Sequence, residues 1–241
     1  MSLRLFVDEA LAPDRVIELP AAAARHVQVR RLQPGDALCL FDGRGGEWSA
    51  VVEHMGRSAV GVRLRCHDPV DRELPLQVTV ALGMPANERM DLLVEKATEL
   101  GAHAIQPLLC ERSVLRLAGE RALRKREHWQ GIAAAASEQS GRTKLPRIAP
   151  VLSLQRWLDD LEDGGVRLLL SSHGDAPPLS GVSLRGAGRV CTLSGPEGGL
   201  TVDERSAACA RGFRPVRLGP RVLRAETAPL AALAWMALHG A

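Results

Sequence analysis

The sequence predicts an α/β protein in which a small β-rich region precedes a larger domain with a mainly parallel sheet. Three observations support this prediction. The first seventy residues alternate short apolar runs with turn signals, a polar segment with two prolines follows at 67–75, and strand and helix patterns alternate after it. We expect a small β-barrel over residues 1–72 and an α/β domain over 73–241.

Five short apolar segments of the first region have the length and composition of strands. The predicted strands are 3–7, 16–19, 37–41, 48–53 and 59–65. The segment Asp42-Gly43-Arg44-Gly45-Gly46 is rich in glycine like a phosphate-binding loop, but a strand flanks it on each side and no helix follows. We therefore interpret it as a hairpin turn.

In the second region, apolar residues with helical spacing predict a helix over 87–100, with Asn87 as a candidate N-cap and Gly101 at its end. A longer predicted helix at 120–137 carries four basic residues, Arg121, Arg124, Lys125 and Arg126. The other predicted elements are strands at 76–82, 104–109, 166–171, 189–193 and 214–218, and helices at 202–210, capped by Thr201, and at 228–238.

The positive charge is clustered rather than evenly spread. Residues 111–147 carry nine basic and four acidic groups, and residues 211–224 carry five arginines and no acid. Of the 31 basic residues, 28 are arginine, which binds phosphate in a bidentate manner, although a coding bias explains that ratio equally well. The clustering favours a nucleic-acid partner. With three phenylalanines and no tyrosine, we do not expect an aromatic platform that stacks on bases.

The sequence shows no sign of a membrane span, a secretion signal or a metal site. No apolar run approaches the roughly 18 residues of a span, and Asp8 and Glu9 interrupt the N-terminal segment early. The five cysteines are scattered without a Cys-x-x-Cys pair, so we expect neither zinc nor a disulfide framework. These observations predict a cytoplasmic protein without a metal.

Two loops near the C-terminus carry the strongest functional signal. Residues 193–199 are rich in glycine, residues 218–228 carry two arginines and a glutamate, and each loop follows a predicted strand. Ligands bind at the carboxyl ends of such strands. No GxGxxG or Walker motif is present, since Leu82-Gly83-Met84-Pro85 follows the first strand of the domain. The residues alone leave two alternatives open: a nucleotide-like cofactor beside a polyanion, or ordinary turns with Glu226 as a helix-dipole carboxylate.

The chain resembles the RsmE family of 16S ribosomal RNA uracil-N3 methyltransferases, in the SPOUT superfamily, nearly from end to end. The two C-terminal loops, in this order and spacing, are the most specific part of the resemblance. The matching segments are 41–43, 96–101, 107, 111–113, 137–142, 146, 195–199 and 218–228.

The resemblance implies a C-terminal SPOUT domain with a deep trefoil knot and bound S-adenosylmethionine, an N-terminal PUA-like barrel that grips RNA, and a homodimer. The implied substrate is a uridine in the decoding region of 16S ribosomal RNA, within the small ribosomal subunit. The nearest rival is a related enzyme that methylates a ribose 2′-hydroxyl or another base. A second rival, from a different class, is a catalytically silent RNA-binding or assembly factor.

The resemblance also assigns residues. The catalytic pair would be Arg224 and Glu226. The cofactor-binding set would be Leu193, Ser194, Gly195, Glu197, Gly198, Gly199, Leu218, Gly219, Leu223, Thr227 and Ala228. The RNA-binding set would be His26, Arg30, Arg31, Arg112, Arg124, Arg142, Lys144 and Arg221. The segment 26–32 is compressed relative to the family pattern, which leaves open whether Arg30 or Arg31 takes the RNA-facing role.

The chemistry of the implied reaction suggests roles for the catalytic pair. N3 of uracil carries a weakly acidic proton, so its lone pair becomes available only when that proton leaves. We expect Arg224 to stabilise the uracil anion or to position phosphate, and Glu226 to accept the proton or to orient the arginine. Neither loop contains a cysteine, so covalent activation of the base is not expected.

Overall fold

The computed structural model describes residues 3–57, 59–171 and 175–239. They form two compact units: Met1–Glu73 with Ala134–Leu145, and Leu74–Ala133 with Pro146–Ala241. The domain boundary between residues 72 and 73 stays a prediction. Residues 1, 2, 240 and 241, which the two predicted domains include, lie outside the described residues.

The first unit contains one mixed five-stranded sheet in the order β1-β3-β4-β5-β2. β1 and β3 are parallel, and the other pairs are antiparallel. All five predicted strands are present, together with the short helix α1 of the segment that includes His26. The elements are β1 (Leu3–Phe6), β2 (Val16–Glu18), α1 (Ala21–Val29), β3 (Ala37–Phe41), β4 (Glu47–Met55) and β5 (Val60–Asp68).

The hairpin interpretation of the glycine-rich segment after β3 is confirmed. β3 and β4 are antiparallel neighbours, and the turn between them holds Gly43, Gly45 and Gly46 at φ angles of 75°, 115° and 70°. Side chains rarely tolerate such angles, so the glycines serve the turn rather than a phosphate.

The second unit contains a parallel seven-stranded sheet in the order β12-β10-β11-β6-β7-β8, with β9 paired to β7. Every predicted element of this region is present within a few residues of its expected bounds. The elements are β6 (Gln77–Gly83), α2 (Asn87–Glu99), β7 (Ala104–Leu109), α3 (Gly119–Ser140), β8 (Arg147–Ile148), β9 (Leu152–Ser153), α4 (Leu154–Asp159), β10 (Val166–Leu170), β11 (Arg189–Ser194), α5 (Val202–Ala210), β12 (Arg214–Val216) and α6 (Thr227–His239). The short elements β8, β9 and α4 were not expected, because they span too few residues to show a periodicity.

The helix starts are a stricter test of the sequence signals. Ala86, and not Asn87, occupies the N-cap position of α2, so that part of the prediction is wrong. The Thr201 cap of α5 is confirmed: its hydroxyl accepts the Glu204 N–H at 3.2 Å, and the Glu204 carboxylate accepts the Thr201 N–H at 2.9 Å.

Helices cover both faces of the parallel sheet. Along β6, Val80 and Leu82 point into the cluster that contains Trp129, whereas Ala81 points into the cluster that contains Trp157 on the opposite face. This alternation buries both faces of the sheet, as expected for the α/β domain with a mainly parallel sheet that the sequence predicted. No helix in the described parts of the chain is long and apolar enough to cross a membrane.

The last turns of α3 belong to the first unit, where arginines bind its terminal carbonyl groups. Arg4 donates from Nη1 to the Ser137 carbonyl at 2.9 Å and from Nη2 to the Arg142 carbonyl at 3.0 Å. Arg72 donates to the Gly141 carbonyl at 3.0 Å. The Gly141 and Arg142 carbonyls lie beyond the last helical residue, whereas the Ser137 carbonyl also accepts the Gly141 N–H at 3.2 Å. Positive groups suit this negative end of the helix.

Candidate functional site

Three neighbouring strands of the second unit end at one cavity. β10 pairs with β11 on one side and with β12 on the other, all in parallel, so their carboxyl ends meet at the same edge of the sheet. The segments that leave these strand ends line a cavity of about 690 Å³. They are 169–171 at the end of β10, 194–200 after β11, and parts of 218–228 after β12.

The glycine-rich loop after β11 depends on two glycines for different reasons. A Cβ atom on Gly195 would lie 2.7 Å from the Leu200 nitrogen, so only glycine allows the two backbone segments to approach this closely. Gly199 has a φ of 68° with open space around its Cα, so its constraint is conformational. The loop can therefore present backbone groups to the cavity without side chains in the way.

Side chains outside the loop hold it in place. Arg112 donates to the Gly198 carbonyl at 3.0 Å. The Glu197 Oε1 accepts hydrogen bonds from the Ala86 N–H at 3.0 Å and from Arg89 Nη1 at 3.2 Å. The Glu197 side chain thus connects the loop to the start of α2, and Glu197 also lines the cavity.

Gly83 packs against the same loop, and no sequence signal indicates this role. A Cβ atom at this position would lie 2.6 Å from the Pro196 nitrogen and 2.9 Å from the Cys110 sulfur. In the sequence, Gly83 merely marked the absence of a Rossmann motif. The structure shows that it makes room for the proline of the glycine-rich loop.

The loop after β12 presents two arginines to the cavity. Arg221 and Arg224 are exposed and line it, and neither side chain has a hydrogen bond or an ion pair within the described parts of the chain. Gly219, with a φ of 127°, allows the turn that starts this loop. The guanidinium groups are therefore available to an anionic ligand.

Glu226 lies at the end of the same loop and is only 6% exposed. Its Oε2 atom has no hydrogen-bond partner among the residues that the structure describes. The first N–H groups of α6 do not supply one, because those of Thr227 and Ala228 both donate to the Arg224 carbonyl, at 3.0 and 3.1 Å, and Pro229 has none. A buried carboxylate oxygen without a partner calls for an explanation, and a ligand proton would provide one.

Most of the predicted cofactor-binding residues line the cavity, but three do not. Leu193 lies in the core beneath it, while Gly219 and Thr227 lie outside its lining. The predicted residues that line it are Ser194, Gly195, Glu197, Gly198, Gly199, Leu218, Leu223 and Ala228. The sequence missed the contribution of Leu169 and Leu170 at the end of β10 and of Ser171 after it, because nothing in that segment distinguishes it from a core strand.

The predicted RNA-binding residues of the second unit divide into two groups. Arg112 and Arg221 line the cavity. Arg124 is exposed on α3 and lies 3.4 Å from Glu120 one turn away. Its neighbour Arg126 has a structural role instead, because its Nε donates to the Ile148 carbonyl at 2.8 Å.

In the first unit, His26, Arg30 and Arg31 are exposed at or just beyond the end of α1. Lys144 is also exposed, and its ammonium group bonds Asp71 at 2.9 Å, which lowers the pKa of that carboxyl. The fifth predicted RNA contact of this unit, Arg142, is buried.

That fifth residue is Arg142, which is 5% exposed and forms an ion pair with Glu73. Its Nε lies 3.1 and 3.2 Å from the two carboxylate oxygens of that residue. The guanidinium already donates hydrogen bonds to the Glu73 carboxylate, and little of the Arg142 side chain is exposed to solvent. Arg142 is therefore not placed to meet phosphate. We therefore assign it a structural role.

Cys110 packs near the glycine-rich loop, but it is not a candidate nucleophile. Burial raises the pKa of its thiol to about 12, and the nearby Glu204 carboxylate adds to this effect. The thiol stays protonated at neutral pH, and the protonated form is a poor nucleophile. This agrees with a site that does not activate its substrate covalently.

Comparison with known proteins gives this site a family. An RNA methyltransferase domain matches residues 72–237, and an RNA methyltransferase PUA domain matches residues 19–64. Ribosomal RNA small subunit methyltransferase E of Synechocystis is 37% identical over 97% of this chain and 77% of its own length.

Solved structures agree with these matches over almost the whole chain. A ribosomal RNA small subunit methyltransferase E from Neisseria gonorrhoeae, bound to S-adenosyl methionine, has a TM-score of 0.92 and 36% identity, with 98% of this chain and 97% of that chain covered. A methyltransferase from Legionella pneumophila in complex with the cofactor SAM also has a TM-score of 0.92, with 31% identity and the same coverage. The resemblance noted in the sequence is confirmed: the chain belongs to the ribosomal RNA small subunit methyltransferase E family of RNA methyltransferases.

Proposed function

We propose that this chain transfers a methyl group from S-adenosylmethionine to N3 of one uridine in the decoding region of 16S ribosomal RNA, within the small ribosomal subunit. The observation that carries the proposal is the cavity at the ends of β10, β11 and β12. Five arginines line it, at positions 89, 112, 205, 221 and 224, and the one acidic residue of its lining, Glu197, is paired with Arg89. Such a lining suits an anionic RNA backbone beside a cofactor.

The residues present fit the cofactor found in the relatives. The cavity volume lies within the roughly 300–1,000 Å³ typical of small-molecule sites. Backbone groups around Gly195 and Gly199 can approach a ligand closely, and Leu218, Leu223 and Ala228 offer apolar surface for an adenine ring. Bound there, S-adenosylmethionine would supply a methyl group on a positively charged sulfur.

The protein's own task is to prepare the nucleophile. Departure of the N3 proton leaves a negative charge that spreads over O2 and O4 of uracil. The guanidinium of Arg224 lines the cavity and has no partner among the described residues, so it would stabilise this charge. The buried carboxylate of Glu226, with its unpartnered Oε2, would accept the proton or hold the arginine in position.

RNA contacts beyond the cavity would come from exposed basic residues of both units. We propose His26, Arg30, Arg31, Arg112, Arg124, Lys144 and Arg221 for this role. The trefoil knot, the homodimer and the cytoplasmic location stay predictions.

The decisive experiment uses small ribosomal subunits purified from a strain that lacks this protein. They are incubated with the protein and S-adenosylmethionine, and the RNA is analysed by nucleoside mass spectrometry and by reverse transcription. N3-methyluridine and a reverse-transcription stop at one uridine are expected, because the modification blocks Watson–Crick pairing. Methylation of a ribose or of another base would overturn the proposal. Calorimetry that shows no S-adenosylmethionine binding would favour an assembly factor instead.

The roles of the catalytic pair need a separate test. Glu226→Gln should bind S-adenosylmethionine normally and lose turnover, since an amide cannot accept the proton as a carboxylate does. Glu120→Gln, which changes an exposed carboxylate on α3, is the matched control and should behave like the wild type. Full turnover by Glu226→Gln would remove Glu226 from proton transfer.

A further inference from the structure

One apolar side chain stands out at the cavity edge. Val222 lines the cavity and is 81% exposed, and it lies in the chain between Arg221 and Arg224. The next residue, Leu223, also lines the cavity but is half-buried, so Val222 is the more exposed of the two apolar side chains. Exposing a β-branched apolar side chain in this way forgoes the stabilisation that burial gives.

The loop that carries Val222 joins β12 to α6. The loop leaves β12 through the turn at Gly219 and Pro220. It ends where the Arg224 carbonyl accepts the N–H groups of Thr227 and Ala228, at the start of α6. Val222 therefore lies at the cavity edge on a short loop between a glycine turn and the start of α6.

The proposed reaction creates a need for such a side chain. N3 lies on the Watson–Crick edge of uracil, so the base must leave its stack before this atom can face a cavity. Proteins that unstack a base commonly insert an apolar side chain into the vacated space. Arg221 can hold a phosphate beside the vacated space, since Glu197 is paired with Arg89 and the Glu226 carboxylate is buried.

We propose that Val222 is the wedge that occupies the stack when the target uridine turns into the cavity, while Arg221 holds an adjacent phosphate and Arg224 faces the base. This inference rests on the proposed function and names how the site selects an unstacked base. A second copy of this chain could also cover an exposed valine, so the oligomeric state is part of the test.

The test compares Val222→Ser with two matched variants. Val114→Ser changes another highly exposed valine, 78% exposed, that lies outside the cavity lining. Val222→Ile keeps an apolar β-branched side chain. Unmethylated small subunits are mixed with each protein and S-adenosylhomocysteine, so that no transfer occurs, and 2′-hydroxyl acylation of the nucleotides that flank the target uridine reports unstacking.

We expect the wild type, Val222→Ile and Val114→Ser to raise the acylation of the flanking nucleotides, and Val222→Ser not to. With S-adenosylmethionine, Val222→Ser should lower kcat/KM about 5- to 100-fold, the range that loss of one stacking contact produces. Its affinity for S-adenosylmethionine, thermal midpoint and sedimentation should match the wild type.

Two results would overturn the wedge while leaving the proposed function intact. Acylation by Val222→Ser that equals the wild type would show that another group opens the stack. A changed sedimentation coefficient would assign Val222 to contact between copies of the chain. Failure of the wild type to form N3-methyluridine would instead refute the proposed function, and the wedge with it.

Discussion

Three arginines of the first unit differ from two arginines at the cavity of the second unit in whether their guanidinium groups have bonding partners. Arg4, Arg72 and Arg142 each bond to carboxylates, to backbone carbonyls or to both. Arg221 and Arg224 lie exposed at the cavity, with no partner among the described residues. The first group holds the end of α3 against the small sheet, whereas the second group is free to meet a ligand.

The difference shows that a count of basic residues does not locate an RNA surface. A guanidinium whose donors are already bonded contributes to stability and offers little to phosphate. An exposed guanidinium without a partner has its charge and geometry available. We call this the pairing rule: an arginine with bonded donors is structural, and an exposed arginine without a partner is functional. The following predictions test whether the rule separates the two kinds of arginine.

The largest expected effect concerns Arg142, which the sequence placed on the RNA and the structure places against Glu73. Arg142→Met should lower the free energy of unfolding by about 3–5 kcal/mol, because it leaves the largely buried Glu73 carboxylate without its ion-pair partner. Urea unfolding measures this change. The double variant with Glu73→Gln should recover part of the loss. A stable Arg142→Met protein with weakened RNA binding would contradict the pairing rule.

Arg224 should show the opposite behaviour. Arg224→Gln should lower kcat about 10²- to 10³-fold, the cost of removing one group that stabilises a developing anion. The thermal midpoint should not change, because the side chain has no partner to lose within the described parts of the chain. Steady-state methylation and thermal unfolding measure the two effects. Loss of stability without loss of turnover would place Arg224 with the structural arginines.

These cases also show what the sequence could predict. Periodicity and turn signals predicted the strands of the small sheet and all long elements of the second unit, because these patterns are local. The loops after β11 and β12 were recognisable from their residues. The role of Gly83, the contribution of Ser171 and the pairing of Arg142 were not, since each depends on a neighbour distant in the sequence.

Two glutamates of the first unit extend the pairing rule to carboxylates and to pH. Hydrogen bonds from Arg72, together with Arg4, lower the pKa of Glu47, whereas burial raises the pKa of Glu138. Folding therefore favours ionised Glu47, and this stabilisation is present above the unfolded pKa near 4.5 and is lost as the pH falls. Ionised Glu138 is disfavoured by folding, so its contribution improves as the pH falls.

We expect Glu47→Gln to lower the free energy of unfolding at pH 7 by about 2 kcal/mol, with the deficit shrinking toward pH 4. Glu138→Gln should stay within about 1 kcal/mol of the wild type at pH 7, because an amide oxygen can still accept the Phe6 N–H. Urea unfolding at several pH values tests both variants. Equal losses in the two variants at pH 7 would show that pairing does not distinguish these carboxylates.

The smallest expected effect concerns Arg31, an exposed arginine of the first unit that should behave like those of the cavity. Its φ of 56° lies in the left-handed region, just beyond the end of α1, where its N–H donates to the Gln28 carbonyl at 2.9 Å. Arg31→Gly should therefore raise the free energy of unfolding by about 0.5–1 kcal/mol. If this strained position is kept for its charge, the same change should weaken RNA binding and reduce the salt slope by about one.

Arg30→Gly is the matched control, because its φ of −77° carries no such strain and the change should not stabilise the protein. Calorimetric unfolding and RNA titrations at several salt concentrations separate the two arginines, and a larger loss of RNA affinity in Arg30→Gly would assign the RNA-facing role to Arg30.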